Sequence, residues 1–488
     1  MDRHPPAPIL RTLQRILFGL LLLLNAVYFS RMAFVSEGLL EPGDGVTHYG
    51  IARHAPQNPE LFFDHWGKPL FTLLVSPFAQ LGYPGMIVFN VLLFCITCIL
   101  LFAWAERRNN GLAWTIPLLL LSSIVYYDMV NAGMTEILFS TLLAATFYLF
   151  YREKYVWGAF LFSFSLFSRP EANVVLPVYL LFLLYKKQWK AVPFLGAGLL
   201  LYSIAGSFYY HDLFWFFTKN PYPAKVNFYG HGGPWHFIRH HGFIWGPVLA
   251  WGSLAGTAAV LVSLFTPGRR SRGVSYLLLV VLPLFGVVGV HSYIWWKGIH
   301  GSLGLLRVLA TVMPLSVILG FLFVQDLQTC LARVVPDRVP AVFMWGTGFF
   351  LAWYLYTGNP RRHMLPLKQT PNQELLSEAA AWYRTENPSN RGMVSYSDPY
   401  FAMRAGINPY DTEKARMLYL LDKTDPVISL RPGDYIVWDA HFGPNDGQLS
   451  RERLVTNPRI RVLKTFMPAD TIFAFGGQPY EIIVARVR

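Results

Sequence analysis

Cysteine is scarce in this chain, with 3 in 488 residues. Cys95 and Cys98 spell C-x-x-C but stand inside an apolar run, where they read as packing residues rather than a redox or metal motif. Cys330 is expected to face the cytoplasm and residues 358–488 have no cysteine, so a disulfide framework is excluded. Charge is scarce too: Asp, Glu, Lys and Arg make up 14% of residues, and 28 acids against 41 bases leave a net +13. Such an excess could point to nucleic acid, but the bases fall in short clusters between apolar runs rather than along one stripe, which is a signal of membrane topology. No H-E-x-x-H and no His–Cys pairing occurs, so no metal site and no other cofactor is expected, although a divalent ion would be compatible with the chemistry read below. Repeats and low-complexity tracts are missing. An N-x-S/T sequon and a C-terminal retention signal are missing as well, and both absences favour a bacterial inner membrane over the endoplasmic reticulum.

What the chain has in quantity is apolar sequence: 53% hydrophobic and 16% aromatic residues. From Leu13 to Phe34 it is almost wholly apolar, and about twenty such residues cross a bilayer as a helix. A cleaved signal peptide is the competing reading, disfavoured by the length of the run and by the lack of an A-x-A site near Arg31 and Glu37. If the basic clusters at Arg3/Arg11/Arg15, Arg107/Arg108, Arg152/Lys154, Lys186/Lys187/Lys190, Arg269/Arg270/Arg272 and Arg333/Arg338 all lie inside, the chain crosses about eleven times with its N-terminus cytoplasmic. Pro117 and Pro283 are expected to interrupt two of the spans. Left outside are loop 35–84, the corners 127–135 and 168–171, loop 211–243, the corner 295–302 and everything beyond 358.

Past Tyr356 the composition turns polar. Asn372–Glu386 has helical spacing with early acids, whereas M-V-S-Y-S, Y-I-V-W-D and E-I-I-V-A-R-V read as strands between Pro, Gly and Asn turns. Residues 1–357 are therefore expected to form an α-helical polytopic membrane domain and 358–488 a small α/β domain on the outer, periplasmic face, joined by the Gly358–Arg362 linker.

The outer segments hold the residues with chemistry. Asp44 lies between Gly43 and Gly45 on a turn just beyond the first span. Taken alone, it reads as a solvated or helix-capping acid. His48, Tyr49, Arg53, Asp64, Trp66 and Lys68 share its loop among apolar and aromatic residues, which suggests short helices lying in the interface with their polar faces gathered at one spot. The pattern Asp44…Tyr49-x-x-Ala52-Arg53, then Lys68-Pro69-Leu70, placed after a first membrane span, resembles the first periplasmic loop of the GT-C superfamily. These are membrane glycosyltransferases using polyprenyl-phosphate sugars, the aminoarabinose transferases and protein O-mannosyltransferases among them. The resemblance implies that Asp44 is the reaction-centre acid, acting as base or orienting group for the acceptor. It implies also that Lys68, in a shortened form of the family's Lys-Pro-Pro-Leu motif, contacts the lipid phosphate, with Arg53 assisting. Gly45 stands where many relatives carry Glu. Beside this analogy, the chemistry itself asks for a carboxylate to take the acceptor's proton and a cation to meet the charge growing on the departing phosphate. With one carboxylate acting alone, direct displacement inverts the sugar.

Other outer residues add to the set. Arg307 sits one turn into an apolar run, in a Gly…Arg…Pro segment that resembles a donor-phosphate-binding segment of GT-C enzymes; a structural ion pair or snorkelling is the alternative. Arg169, in Ser168-Arg169-Pro170-Glu171, resembles a mannosyltransferase corner, though Arg169 and Glu171 could simply satisfy each other. Glu136 and Asp64 are the candidate second carboxylates, Glu136 having the plainer reading of a helix N-terminal acid. Loop 211–243, rich in His, Gly and aromatics, with His231 and, further on, His300 beside His48 and Tyr49, suits a mobile cover stacking on sugar or lipid. The expected function is transfer of a sugar from a polyprenyl-phosphate donor to an acceptor glycan, lipid or protein, with no nucleic-acid partner. A lipid or sugar transporter (flippase) and a membrane-anchored binding protein working through 358–488 are the alternatives.

Overall fold

The computed structural model describes residues 8–108, 111–220, 230–331, 338–357, 363–389, 391–422 and 424–488. The Gly358–Arg362 linker and part of loop 211–243 lie outside the described residues. The chain forms two compact units: one takes in the chain to Phe34, Phe62–Phe78 and Pro84–Met364, and the other Val35–Leu61, Ala79–Tyr83 and Leu365–Arg488. The long first loop is thus divided between them, 62–78 folding with the first unit and the segments on either side of it with the second.

The first unit is helical. Its opening helix, Pro8–Val35, buries Phe18 and Phe29 and leaves Ile9, Leu13, Ile16, Leu20, Leu23, Leu24 and Val27 exposed. A helix with an apolar outer face is stable only against an apolar surround. Among the described residues, 6 helices are long and apolar enough to cross a membrane, or 7 if one bent pair counts as a span, and four further apolar helices run 10–17 residues.

The bent pair, Ala113–Ser122 and Ile124–Val130, turns through 90°. Pro117 does not cause the turn: it sits at the start of the Ile116–Ser122 helix, where its missing N–H costs nothing. The break is at Ser123, whose backbone is extended (ψ 118°) and whose hydroxyl accepts from Tyr126 N and donates to Ile244 O at 2.6 Å. Pro283 likewise fails to interrupt, because the Arg270–Lys297 helix passes it through a π turn at Leu277–Val281.

Helices Gly246–Phe265 and Met313–Leu331 approach through Gly252-x-x-x-Gly256; a Cβ on Gly256 would stand 2.0 Å from Leu319 O. Small residues at this spacing let two backbones touch. The basic clusters tie helix ends together as well: Arg108 donates to Gln325 Oε1 and to the Tyr276 hydroxyl, and Arg15 pairs with Glu106 at 2.6 Å.

The second unit is built on a five-stranded sheet: β1 Val394–Tyr396, β2 Ala415–Met417, β3 Tyr435–Asp439, β4 Ile460–Phe466 and β5 Ile482–Val487, in the order β2-β1-β3-β5-β4. β1 is parallel to β2 and β3, whereas β5 is antiparallel to β3 and β4. Helix Pro371–Glu386 starts at a Thr370 cap with proline in its first turn and buries Leu375, Leu376, Ala379, Ala380 and Tyr383, the stripe of an amphipathic helix. The first-loop segments fold into this unit. Leu39 N donates to Gln373 Oε1, Gln373 Nε2 donates back to Leu39 O, and a Cβ on Gly38 would stand 2.1 Å from Lys368 O, so only glycine fits there. Helix Asp44–His54 lies against Pro409 and Tyr410, with the His54 and Tyr410 rings 6.0 Å apart.

Candidate functional site: a buried ionic cluster in the helical unit

The sequence Asp64-His65-Trp66-Gly67-Lys68-Pro69 makes a tight turn. Asp64 Oδ1 accepts from Gly67 N at 2.6 Å, the short side chain closing the turn as Asp and Asn do. Pro69 then opens helix Pro69–Ala79. Between them, Lys68 has φ +61°, a left-handed conformation unusual for any residue with a side chain and more so before proline, where extended backbone is preferred. Such strain persists only where the surroundings over-determine it. Burial pulls the Lys68 ammonium down to about 8; Arg169 adds to this, and Glu171, Asp64 and Glu136 act against it.

Two helix corners bring the other charges. Glu136 lies in the first turn of helix Thr135–Tyr151, and Arg169 and Glu171 precede helix Ala172–Tyr185. Arg169 is saturated: its Nε and Nη2 donate to Glu171 (2.9–3.1 Å), and its Nη1 pairs with Glu136 Oε1 at 2.8 Å and donates to Thr135 Oγ1 at 2.9 Å. Arg307 Nε stands 3.7 Å from the same Glu136 oxygen. His291 Nε2 donates to Glu171 Oε1 at 3.1 Å. The two carboxylates are 1% and 2% exposed, and Glu136 Oε2 is buried with no hydrogen-bond partner among the described residues. Burial would draw the Arg169 proton off, but Glu136 and Glu171 outweigh it and hold the guanidinium charged; Arg169 and His291 in turn keep the Glu171 carboxyl ionised against burial.

Of the residues singled out from sequence, Lys68, Arg169, Arg307 and Glu136 therefore belong to one electrostatic cluster in the helical unit. Asp64 supports it from the turn. His231 and His300 lie at a different corner: His231 Cβ is 3.0 Å from where a side chain on Gly298 would begin, and His300 is exposed with φ +57°. Asp44, His48, Tyr49 and Arg53 belong to the sheet unit. Asp44 is the first residue of helix Asp44–His54. Arg53 donates to the carbonyls of Ala79 and Gln80, and Gln80 Nε2 donates back to Arg53 O, which staples the second piece of the loop to that helix. The Tyr49 and Tyr83 rings meet edge-on at 5.8 Å, and burial raises the Tyr49 hydroxyl.

His291 carries no expectation from the sequence. A lone histidine within L-P-L-F-G-V-V-G-V-H-S-Y gives no spacing signal, and its partner Glu171 lies 120 residues away. Among the described residues no three His, Cys, Asp or Glu side chains gather in a way that could hold a metal ion.

Apolar helices around a buried ionic cluster, with a sheet unit appended, define an integral membrane protein of the polytopic α-helical class. The fold of the chain is shared by proteins of known structure. Two crystal structures of ArnT from Cupriavidus metallidurans share it. The one bound to undecaprenyl phosphate matches at 10% identity over 95% of this chain and 97% of that one, with TM-score 0.56. The apo structure matches at 11% identity over 96% and 97%, also with TM-score 0.56. No family model and no curated protein matches the sequence.

Proposed function

We propose that the protein is a GT-C-type glycosyltransferase that moves a sugar from a polyprenyl-phosphate carrier to an acceptor at the extracytoplasmic face of a membrane, in a bacterium the inner one. The observation that carries this reading is the gathering of Lys68, Arg169 and Arg307 with Glu136, Glu171 and, from the turn, Asp64, in a chain that has along nearly its whole length the fold of a protein crystallised with undecaprenyl phosphate. Glu136 and Glu171 hold Arg169 in place, and Lys68 and Arg307 are the proposed phosphate-binding cations. In a low-dielectric site, each charge-assisted contact to the phosphate is stronger than it would be in water.

In this mechanism the phosphate leaves from the sugar's anomeric carbon as the acceptor hydroxyl attacks from the opposite face, inverting that centre. The cations meet the growing phosphate charge. A carboxylate must take the acceptor's proton, and Asp44 is proposed for that role. The donor readily departs as a phosphate, so no acid catalyst is needed.

The test is transfer or hydrolysis of a radiolabelled polyprenyl-phosphate sugar by the full chain in nanodiscs. Wild type should consume the donor, and Asp44→Asn should lose at least about a hundredfold in rate while still binding it. Wild-type turnover by Asp44→Asn would remove the base assignment. Lipid flux across vesicles without consumption of donor would make the protein a transporter instead.

A further inference from the structure

His291 interrupts an apolar helix and makes a buried polar contact, and its surroundings connect the ionic cluster to residues 230–245. On one side its Nε2–H meets Glu171 Oε1, the oxygen that also receives Arg169 Nε and Nη2. On the other side its ring lies 6.1 Å from that of Phe237, which is buried. Phe237 belongs to the His236–Arg239 turn, and that turn is fixed along the same helix face: the His236 and Trp295 rings are 5.7 Å apart, and Gly232 N donates to Trp295 O at 3.2 Å. Trp295 is one helical turn beyond His291, so both present the same face.

A second arm reaches the cluster from the same segment. His236 Nε2 donates to Gly304 O at 2.8 Å. Gly304 has φ +64°, and a Cβ there would stand 2.6 Å from the Trp295 ring, so the chain can pass only as glycine. Three residues on is Arg307. The arms through His291–Glu171–Arg169 and through Gly304–Arg307 both end on Glu136 Oε1.

We propose that His291 is a positioning residue for donor binding: its hydrogen bond to Glu171 sets the orientation of the Arg169 guanidinium, and its ring contact with Phe237 makes that orientation depend on how residues 230–245 are seated. This rests on the reading of the cluster as the donor-phosphate site. A carboxylate oxygen held by three donors has little freedom to turn. With the histidine donor removed, Glu171 can rotate about its terminal torsion and carry Arg169 away from the phosphate. The Nε2–H of imidazole and the amide of glutamine occupy similar places, so glutamine keeps the contact, whereas leucine keeps the bulk and loses it.

The experiment measures binding of undecaprenyl phosphate to the full chain in detergent by native mass spectrometry, together with steady-state KM and kcat for the donor. His291→Leu should weaken binding and raise the donor KM by about tenfold with kcat little changed, the loss expected from one charge-assisted hydrogen bond. His291→Gln should restore both to within about twofold of wild type, and Phe237→Ala should give a smaller rise in donor KM than His291→Leu. Wild-type affinity in His291→Leu would overturn the inference alone, as would equal losses in the Leu and Gln variants, since a merely structural role is not rescued by a donor. No saturable binding by the wild-type protein would overturn the cluster's assignment and this inference with it.

Discussion

The helical unit and the sheet unit each bury a group of ionisable side chains, and they do so on opposite terms. In the helical unit Arg169 sits between Glu136 and Glu171, with Lys68 and Arg307 close by, so every buried charge has a neighbour of opposite sign. In the sheet unit Asp398 follows β1 and Asp439 ends the adjacent parallel strand β3, where the register that pairs Tyr396 with Val437 brings them side by side. Hydrogen bonds alone hold them. Asp398 caps the Pro399–Ala405 helix by accepting from Tyr400 N at 2.7 Å, and Asp439 accepts from His441 N and Phe442 N at 2.8 Å and from the Ser397 hydroxyl. No lysine or arginine pairs with either acid among the described residues. Burial lifts both carboxyls, and the charge of Asp439 adds to it at Asp398, which lies well above the usual range, so the pair titrates as a unit. Compensated charge fixes geometry over a wide pH range, whereas like charges buried together make the local fold depend on pH.

The sharpest way to break this comparison is to remove the compensation. Arg169→Leu should destabilise the helical unit by about 3–5 kcal/mol, because two buried carboxylates lose their cation at once. Thermal unfolding in detergent reads this, and Arg169→Leu combined with Glu136→Gln should recover part of the loss. A silent Arg169→Leu would mean the cluster is more solvated than its burial indicates.

Lys68 is the member of the cluster least shielded from titration. Its pKa of about 8 makes donor affinity fall as pH rises through that value, since only the ammonium attracts phosphate, while a bound phosphate pushes the midpoint upward. Lys68→Arg should keep affinity constant through this window, with a difference of about tenfold at the alkaline end. Equal pH profiles in the two proteins would place the phosphate elsewhere.

The acid pair gives the smallest effect, and its removal stabilises where removal of Arg169 destabilises. Because the folded-state carboxyls bind protons more tightly than the unfolded ones, stability from this pair is present near the ordinary carboxylate value and lost as pH rises through the raised one. Strands β1 and β3 should therefore be better protected from hydrogen exchange at pH 5 than at pH 8, after correction for intrinsic rates. Asp398→Asn keeps the helix cap and removes the repulsion, so it should stabilise the unit at pH 8 by about 1 kcal/mol and flatten the difference. Asp398→Asn destabilising at pH 8 would show that the carboxylates are compensated after all.

Much of this was legible from sequence where a charge stands out against an apolar background. Arg307, Glu136 and the Arg169–Glu171 corner are conspicuous for that reason, and the strands at 394–396, 435–439 and 482–487 and the helix to Glu386 follow from periodicity. β4 escaped notice because a bulge between Val462 and Lys464 breaks its alternation, and β2 because Ala415-Arg416-Met417 holds no β-branched or aromatic residue. His291 and the Asp398–Asp439 pair stayed hidden for another reason: each residue looks ordinary locally, and its meaning comes from a partner on a distant segment. The 90° turn at Ser123 was hidden because a serine that caps the next helix bends the chain there, while Pro117, at a helix start, bends nothing.

Binding of undecaprenyl phosphate to the purified full chain, compared among wild type, Lys68→Ala and Arg307→Ala, tests the central claim most directly. Saturable binding by wild type, weakened about ten- to a hundredfold in each variant, is the result expected if these cations hold the lipid phosphate. Equal affinity in all three proteins, or no binding in any, would contradict it.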